Sequence, residues 1–474
     1  MIMNKDLGIR RTGFKGVILL ISLFILCGWS TPINISNTDS TSYIPSACLD
    51  FSGRLHVVWE ERTPLGDLLN DIYYTCQVGS VWTIPVNVSN DSFASWGPDV
   101  AVDTLGRVHV VWESYINTWK IMWTMYEDGV WTTPISISDS VPYACQGCRI
   151  AVNPIDNTVH CVWHDLDYPP GGGKVWHSYF DGNKWSVPEG LGDTVEIFCW
   201  PDIAVDSLGR LHLVAQNFNS PDHEGTHIYY TRFENGSWLP FEDITPNCEG
   251  TVDPRIAIDR DNNPHVVWEE RTGVSKIYYT YFDGSRWLEP ILVGENESMH
   301  PTVAVDEIGK THITWEYHAG DTFNVVYYAC YYQGVCETTK VQVSANNPYK
   351  ILMPQIWVRD SIIHVVWEDH NLGNSEIFYS YTEYFSSVPE IDNGSFPFVV
   401  IGSFSFTFSL TSSSFVTLSF YDVCGREVYH RDLGYFSRGT HHCDVPLSLP
   451  SGVYFPILKA GAQVFRGKII FINP

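Results

Sequence analysis

Between about residues 43 and 384 one pattern of apolar and polar positions recurs seven times. Its second copy reads Pro98-Asp-Val-Ala-Val-Asp103, a turn holding Gly106, His109-Val-Val-Trp-Glu113, a loop and a third apolar run, then Trp131-Thr-Thr-Pro-Ile-Ser-Ile137. The runs are short, rich in β-branched and aromatic residues, and apolar at successive positions, as suits strands covered on both faces. A unit of roughly 50 residues with four such strands cannot bury both faces alone, so copies must stack side by side. Six copies carry a second-strand tryptophan: Trp59, Trp112, Trp163, Trp268, Trp315 and Trp367. The fourth has Ala215 there but stays in register through Pro201 to Asp206, His212 and Ile228-Tyr-Tyr-Thr231. The pattern predicts an all-β fold, a seven-bladed β-propeller.

The ends of the array fit together. Trp29-Ser-Thr-Pro-Ile-Asn-Ile-Ser36 copies the fourth strand Trp131 to Ser138, whereas the seventh unit runs past Ile377-Phe-Tyr-Ser380 without one. The N-terminal strand is therefore expected to complete the seventh blade and close the ring, which removes an exposed edge. Residues 29–384 form the propeller in this reading, with 385–397 a linker and 398–474 a small immunoglobulin-like β-sandwich of short alternating strands. Residues 1–28, with Lys5, Arg10, Arg11 and Lys15 ahead of the apolar run Gly16 to Cys27, read as an export signal peptide, leaving no transmembrane span in the mature chain.

Charge narrows the partners. Lys+Arg 28 against Asp+Glu 54 gives a formal net charge of -26, which repels nucleic acid and argues against it as a partner. Twelve cysteines suit an oxidising compartment, with Cys48–Cys76, Cys330–Cys336 and Cys424–Cys443 as candidate disulfides and Cys145-x-x-Cys148 as a disulfide or two free thiols. No complete metal-ligand loop is present, so neither metal nor cofactor is expected.

Repetition separates structural from functional residues. His56, His109, His160, His212, His265, His312 and His364 open every second strand and are expected to bond neighbouring turns. Glu60, Glu113, His164, Gln216, Glu269, Glu316 and Glu368, which follow the second-strand tryptophan or its equivalent, form a mostly acidic ring suited to cations or polyhydroxyl ligands, or else to solvent. The residue after the first-strand proline or its equivalent varies instead: Ser46, Asp99, Arg149, Asp202, Arg255, Thr302 and Gln355. Variation at a channel-facing position is what one asymmetric site produces, and also what drift produces. Arg149 and Arg255 are the anion-binding candidates. Asp99, Asp202, Glu269, Asp165 and Tyr168 join them as ligand-binding candidates, the last two in the loop Asp165 to Gly173, and Trp119 is a candidate for sugar stacking. No catalytic set can be named.

Ser178-Tyr-Phe-Asp181-Gly182-Asn-Lys-Trp185 resembles the Asp-box (BNR) repeat of sialidase-like propellers, without the spacer between aspartate and glycine. That resemblance implies a glycan ligand, and in a hydrolase of that type Arg149 and Arg255 would clamp substrate with Glu269 or Asp202 as acid/base. Tyr421-Asp-Val-Cys-Gly-Arg426, Leu449-Pro-Ser-Gly-Val-Tyr-Phe455 and Lys468-Ile-Ile470 resemble the C-terminal sorting domain of the type IX secretion system. It implies secretion machinery as a partner and a destination outside a bacterial cell or on its outer surface. Three functions stay open: a secreted propeller that binds an extracellular glycan or glycoprotein without transforming it, a sialidase-like exo-glycoside hydrolase, and a protein-interaction scaffold.

Overall fold

A computed structural model describes residues 24–26, 29–62, 70–165, 173–192, 198–217, 225–318, 320, 324–332, 334–345, 350–370, 374–386, 398–401, 403–410, 413–422, 425–446, 449–450, 452–460, 463–466 and 469–472. The export-signal reading of residues 1–28 falls almost wholly outside them. The chain divides into two compact units, Leu26–Phe385 and one holding Ser386–Pro474.

The first unit contains seven antiparallel sheets of four or five strands. Their first strands are Thr41–Leu49, Ser95–Val102, Cys145–Val152, Phe198–Val205, Thr251–Ile258, Ser298–Val305 and Ile351–Arg359. Each first strand packs against the first strand of the next sheet, and the seventh packs against the first, so the sheets circle a central channel. Ile33–Asn34 adds to the seventh sheet beside Phe378 and Tyr379, and the amide of Ser42 donates to Ser375 O at 2.8 Å.

The second-strand tryptophans are wholly buried wedges between sheets. Trp112 lies with Val58, Ile72 and Tyr74 of the first sheet, Trp268 with Val214, Ile228 and Tyr230 of the fourth, and Trp59 with Val366, Ile377 and Tyr379 of the seventh. In the fourth sheet, Ala215 lies in a cluster with Phe198, which stacks on Phe241 at 4.3 Å between centroids. Aromatic volume removed from one strand thus returns from two others, keeping the interface filled.

The repeated histidines brace this frame. His212 pairs Nδ1 with the Tyr230 hydroxyl at 2.8 Å and Nε2 with the turn carboxylate Asp206 at 3.1 Å, and His56, His265 and His312 make the same two contacts. Burial holds His212 and His364 down at about 4 and His160 at about 3. Cys48 and Cys76 do not form the expected disulfide: both face His56 across adjacent ladders, with a whole strand between them. Cys145 and Cys148 are two free buried thiols, and Cys424 lies outside the described residues.

In the C-terminal unit Phe398–Ile401, Ile469–Ile472, Gly452–Ala460, Ser414–Tyr421 and Glu427–Phe436 lie in that order in one sheet, while Ser403–Leu410 pairs with Gly439–Pro446. Val416, Leu418, Phe420, Ile457 and Leu458 are buried. Asp422 closes the hairpin by accepting from Arg426 N and Nε at 3.0 and 2.8 Å, the turn chemistry that Asp103 and Arg107 use in the second sheet.

Candidate functional site

A cavity of about 1150 Å³ occupies the channel. Its wall contains all seven residues that follow the first-strand proline or its equivalent. Arg149 Nε lies 3.8 Å from Asp202 and its Nη1 donates to Cys148 O at 2.9 Å. Asp99 accepts from Ser46 Oγ and Ile150 N at 2.5 and 2.8 Å, and Asp202 accepts from Ile256 N at 2.9 Å. These aspartates therefore tie the second sheet to the third and the fourth to the fifth. Burial and the like charge of Arg149 pull Arg255 down to about 10, against the fields of Asp202, Asp253 and Asp99. Burial raises Asp202 in spite of both arginines.

Above the wall every first strand carries a bulge, where two residues oppose one on the second strand. The first bulge residue has positive φ each time: Ile44 45°, Gly97 54°, Gly147 66°, Trp200 50°, Asp253 52°, His300 47° and Met353 51°. For the five that are not glycine this conformation costs about 1–3 kcal/mol apiece and must be held by its surroundings.

The acidic ring holds it. The amides of Gly97, Gly147, Asp253 and Met353 donate to Glu60, Glu113, Gln216 and Glu316 at 2.8, 2.6, 2.8 and 3.0 Å. Those of Ile44, Trp200 and His300 reach Glu368, His164 Nδ1 and Glu269 at 3.1, 3.4 and 3.4 Å. All seven ring residues are buried. The ring is thus spent on inter-sheet amides rather than left to solvent, although Glu60, Glu113 and Gln216 border the cavity; it is an inter-sheet latch, and Glu269 belongs to it first. Burial pushes Glu60 up to about 8 and Glu113 to about 7, and His164 down to about 3. Gly147 admits no substitute, since a Cβ there would stand 2.6 Å from His164 Nδ1.

The latch turns the side chains of the bulge residues to the mouth, where they differ. Trp96 and Trp119 of the second sheet lie 4.6 Å apart between centroids, with exposed Tyr115 5.4 Å from Trp119. Trp200 of the fourth sheet is 46% exposed and leans on His164. All three tryptophans line the cavity, as do Asp253, Arg271 and His300 of the fifth and sixth sheets. Arg271 donates through Nη2 to Asp253 at 2.8 Å and through Nε to Glu269 at 2.7 Å. His300 Nδ1 meets Glu316 at 2.6 Å, and His318 stands 3.4 Å from the same carboxylate. Burial alone would lower His300, but Glu316, Asp253 and Glu269 outweigh it and hold the imidazole above its ordinary value. Ligand atoms of Asp253, Glu269 and His300 lie within 4.8 Å of one another, a spacing open to a metal ion, but the Arg271 guanidinium already bonds both carboxylates.

Of the residues expected from sequence, Arg149, Arg255, Asp99 and Asp202 share the channel wall beneath the mouth. Asp165 is buried away from it, accepting from Lys174 N and Trp176 Nε1 at 3.0 and 2.8 Å. That Asp165 was expected at a ligand face is corrected by this bonding: it braces its own hairpin. Tyr168 lies outside the described residues. Sequence reasoning missed Trp96, Trp200, Asp253 and His300. For Trp200, Asp253 and His300 the available signal lay two residues earlier: the position before the first-strand proline varies as much as the one after it.

No family model and no curated protein matches the chain. Among solved structures it is similar to an ulvan lyase of polysaccharide lyase family PL25, at TM-score 0.52 and 11% identity over 73% of this chain and 95% of that one. The same kind of lyase bound to -[GlcA(1-4)Rha3S]- gives 0.50 and 11% over 75% and 94%. A variant of NanB sialidase from Streptococcus pneumoniae gives 0.41 and 12% over 77% and 71%. At such identity the likeness is one of fold: this chain carries an all-β, propeller-type domain.

Proposed function

We propose that the chain is an exported seven-bladed β-propeller that binds an extracellular glycan at the channel mouth, without a catalytic role for the wall residues. The observation that carries this reading is the exposed Trp200, held at φ 50° over a cavity that Trp96 and Trp119 also line. The backbone conformation is shared by all seven first strands, but here it carries a tryptophan left nearly half exposed, a large aromatic face that packing leaves unused. Flat aromatic faces with convergent polar groups are what a polyhydroxyl ligand with apolar C–H faces requires. Arg149 is committed to Asp202, and Asp99 and Asp202 to the next strand, so of the clamp and acid/base candidates in the wall only Arg255 stands without an ion pair among the described residues.

Residues 1–28 as export signal and 398–474 as an immunoglobulin-like, sorting-type domain complete the proposal, with secretion machinery as the partner of the second. They rest on the charged-then-apolar N-terminus and on the Asp422-x-x-Gly-Arg426 and Leu449 to Phe455 segments. The test is calorimetric titration of the purified chain with a panel of oligosaccharides. A binder should lose about tenfold or more in affinity with Trp200→Ala or Trp119→Ala, as central aromatic contacts do. Unchanged affinity in both variants refutes the placement.

A further inference from the structure

The charge pairing around the mouth bears on which glycan enters it, an inference that rests on the glycan reading above. The cations are spoken for. Arg271 is held by Asp253 and Glu269, His300 and His318 by Glu316, and His370 meets Glu368 at 2.7 Å. In the wall below, Arg149 is paired with Asp202. Arg255 is the one cavity-lining arginine without an ion pair among the described residues, and three aspartates with the like-charged Arg149 surround it. Glu60 and Glu113 at the same mouth have no cationic partner within ion-pair distance among the described residues, and the whole chain carries -26.

An incoming carboxylate or sulfate therefore meets a single unpaired guanidinium, Arg255, whose charge Asp202, Asp253 and Asp99 already offset, whereas anionic sugars are held by free cationic forks. What the cluster leaves unspent suits hydroxyl groups. Arg271 Nη1 is a donor without a partner among the described residues, His300 Nε2 accepts in the neutral ring and donates in the imidazolium, and Asp253 accepts from Arg271 through Oδ2 only, leaving Oδ1 as an acceptor. A guanidinium donor, a carboxylate acceptor and an imidazole nitrogen in one cluster match neighbouring sugar hydroxyls, each of which gives one hydrogen bond and takes others. We propose that the mouth selects a neutral glycan, stacked on Trp96, Trp119 and Trp200 and hydrogen-bonded by Arg271, His300 and Asp253, and discriminates against uronate, sulfated and sialylated chains.

The experiment titrates the full chain with neutral oligosaccharides and with uronate-containing, sulfated and sialylated ones, each at low and high salt. Neutral chains are expected to bind at least about tenfold more tightly, about 1.4 kcal/mol, with affinity nearly independent of salt. Arg255→Gln should leave neutral-glycan affinity unchanged, and Trp200→Ala should abolish it; thermal melts of both variants report folding. Preferential binding of an acidic glycan, weakened by salt and lost in Arg255→Gln, overturns the inference while leaving the glycan reading intact. Absence of binding to every glycan overturns the reading beneath it as well.

Discussion

Glu113→Gln separates the latch from its charge. Glu113 is 8% exposed and accepts the Gly147 amide through Oε1 at 2.6 Å. Burial, partly countered by that amide and by Arg149, lifts its acid from 4.5 to about 7. A group whose acidity is weakened by folding contributes fully below its unfolded value, and the contribution is lost as pH rises through the folded one. At about 1.4 kcal/mol for each tenfold change in acidity, ionising Glu113 in the folded chain at about pH 8 costs about 3 kcal/mol. Glutamine carries no such cost, and Gln216 already performs the same task for Asp253 in the fourth sheet. Relative to the parent, Glu113→Gln should therefore gain about 3 kcal/mol between about pH 5 and about pH 8, about 4 °C in melting temperature for a unit of this size. Glu113→Ala, which strands the Gly147 amide, should lose about 1–3 kcal/mol or more at either pH. Calorimetric melts and urea midpoints at both pH values measure this. A Glu113→Gln difference that is the same at the two, or that worsens at the higher, refutes the latch.

Further perturbations test the rest of the frame. Gly147→Ala should cost more than about 3 kcal/mol by denaturant unfolding, because the new Cβ meets His164 and φ 66° disfavours alanine; a loss below about 1 kcal/mol refutes the close approach. Acid should unfold the propeller early. His160, His164, His212 and His364 have folded values depressed to between about 3 and about 4, so the unfolded chain takes up their protons first and stability is lost as pH falls below about 6.5. These four outweigh the opposite trend of Glu60 and Glu113 over that range, and urea midpoints that stay flat from about pH 7 to about pH 5 contradict it. Deleting residues 29–36 should strip the outer strand from Phe378 and Tyr379 and give a lower melting temperature with concentration-dependent association by light scattering; an unchanged monomer refutes the closure.

The apolar periodicity made the strands, their sevenfold repeat and the wedge role of Trp59, Trp112 and their equivalents legible, because burial on both faces constrains every copy alike. The repeated histidines were legible as braces for the same reason. The acidic ring misled. Glu60 and its equivalents look like exposed carboxylates at strand ends, and nothing local reveals that the next sheet's bulge brings a backbone amide to each one. Trp200 was hidden by the same bulge, since only its positive φ turns that side chain to the mouth. Arg149 and Arg255 were placed on the channel wall, but the pairing of Arg149 with Asp202 depends on neighbouring strands whose spacing no sequence pattern states.

A crystal structure of the chain soaked with its best-binding neutral oligosaccharide tests the glycan assignment most directly. Density for a sugar ring against Trp200 or the Trp96–Trp119 pair, with hydroxyls within hydrogen-bond reach of Arg271, His300 or Asp253, is the expected result. A sugar seated only on the outer rim or on the C-terminal unit, with the mouth empty, contradicts it.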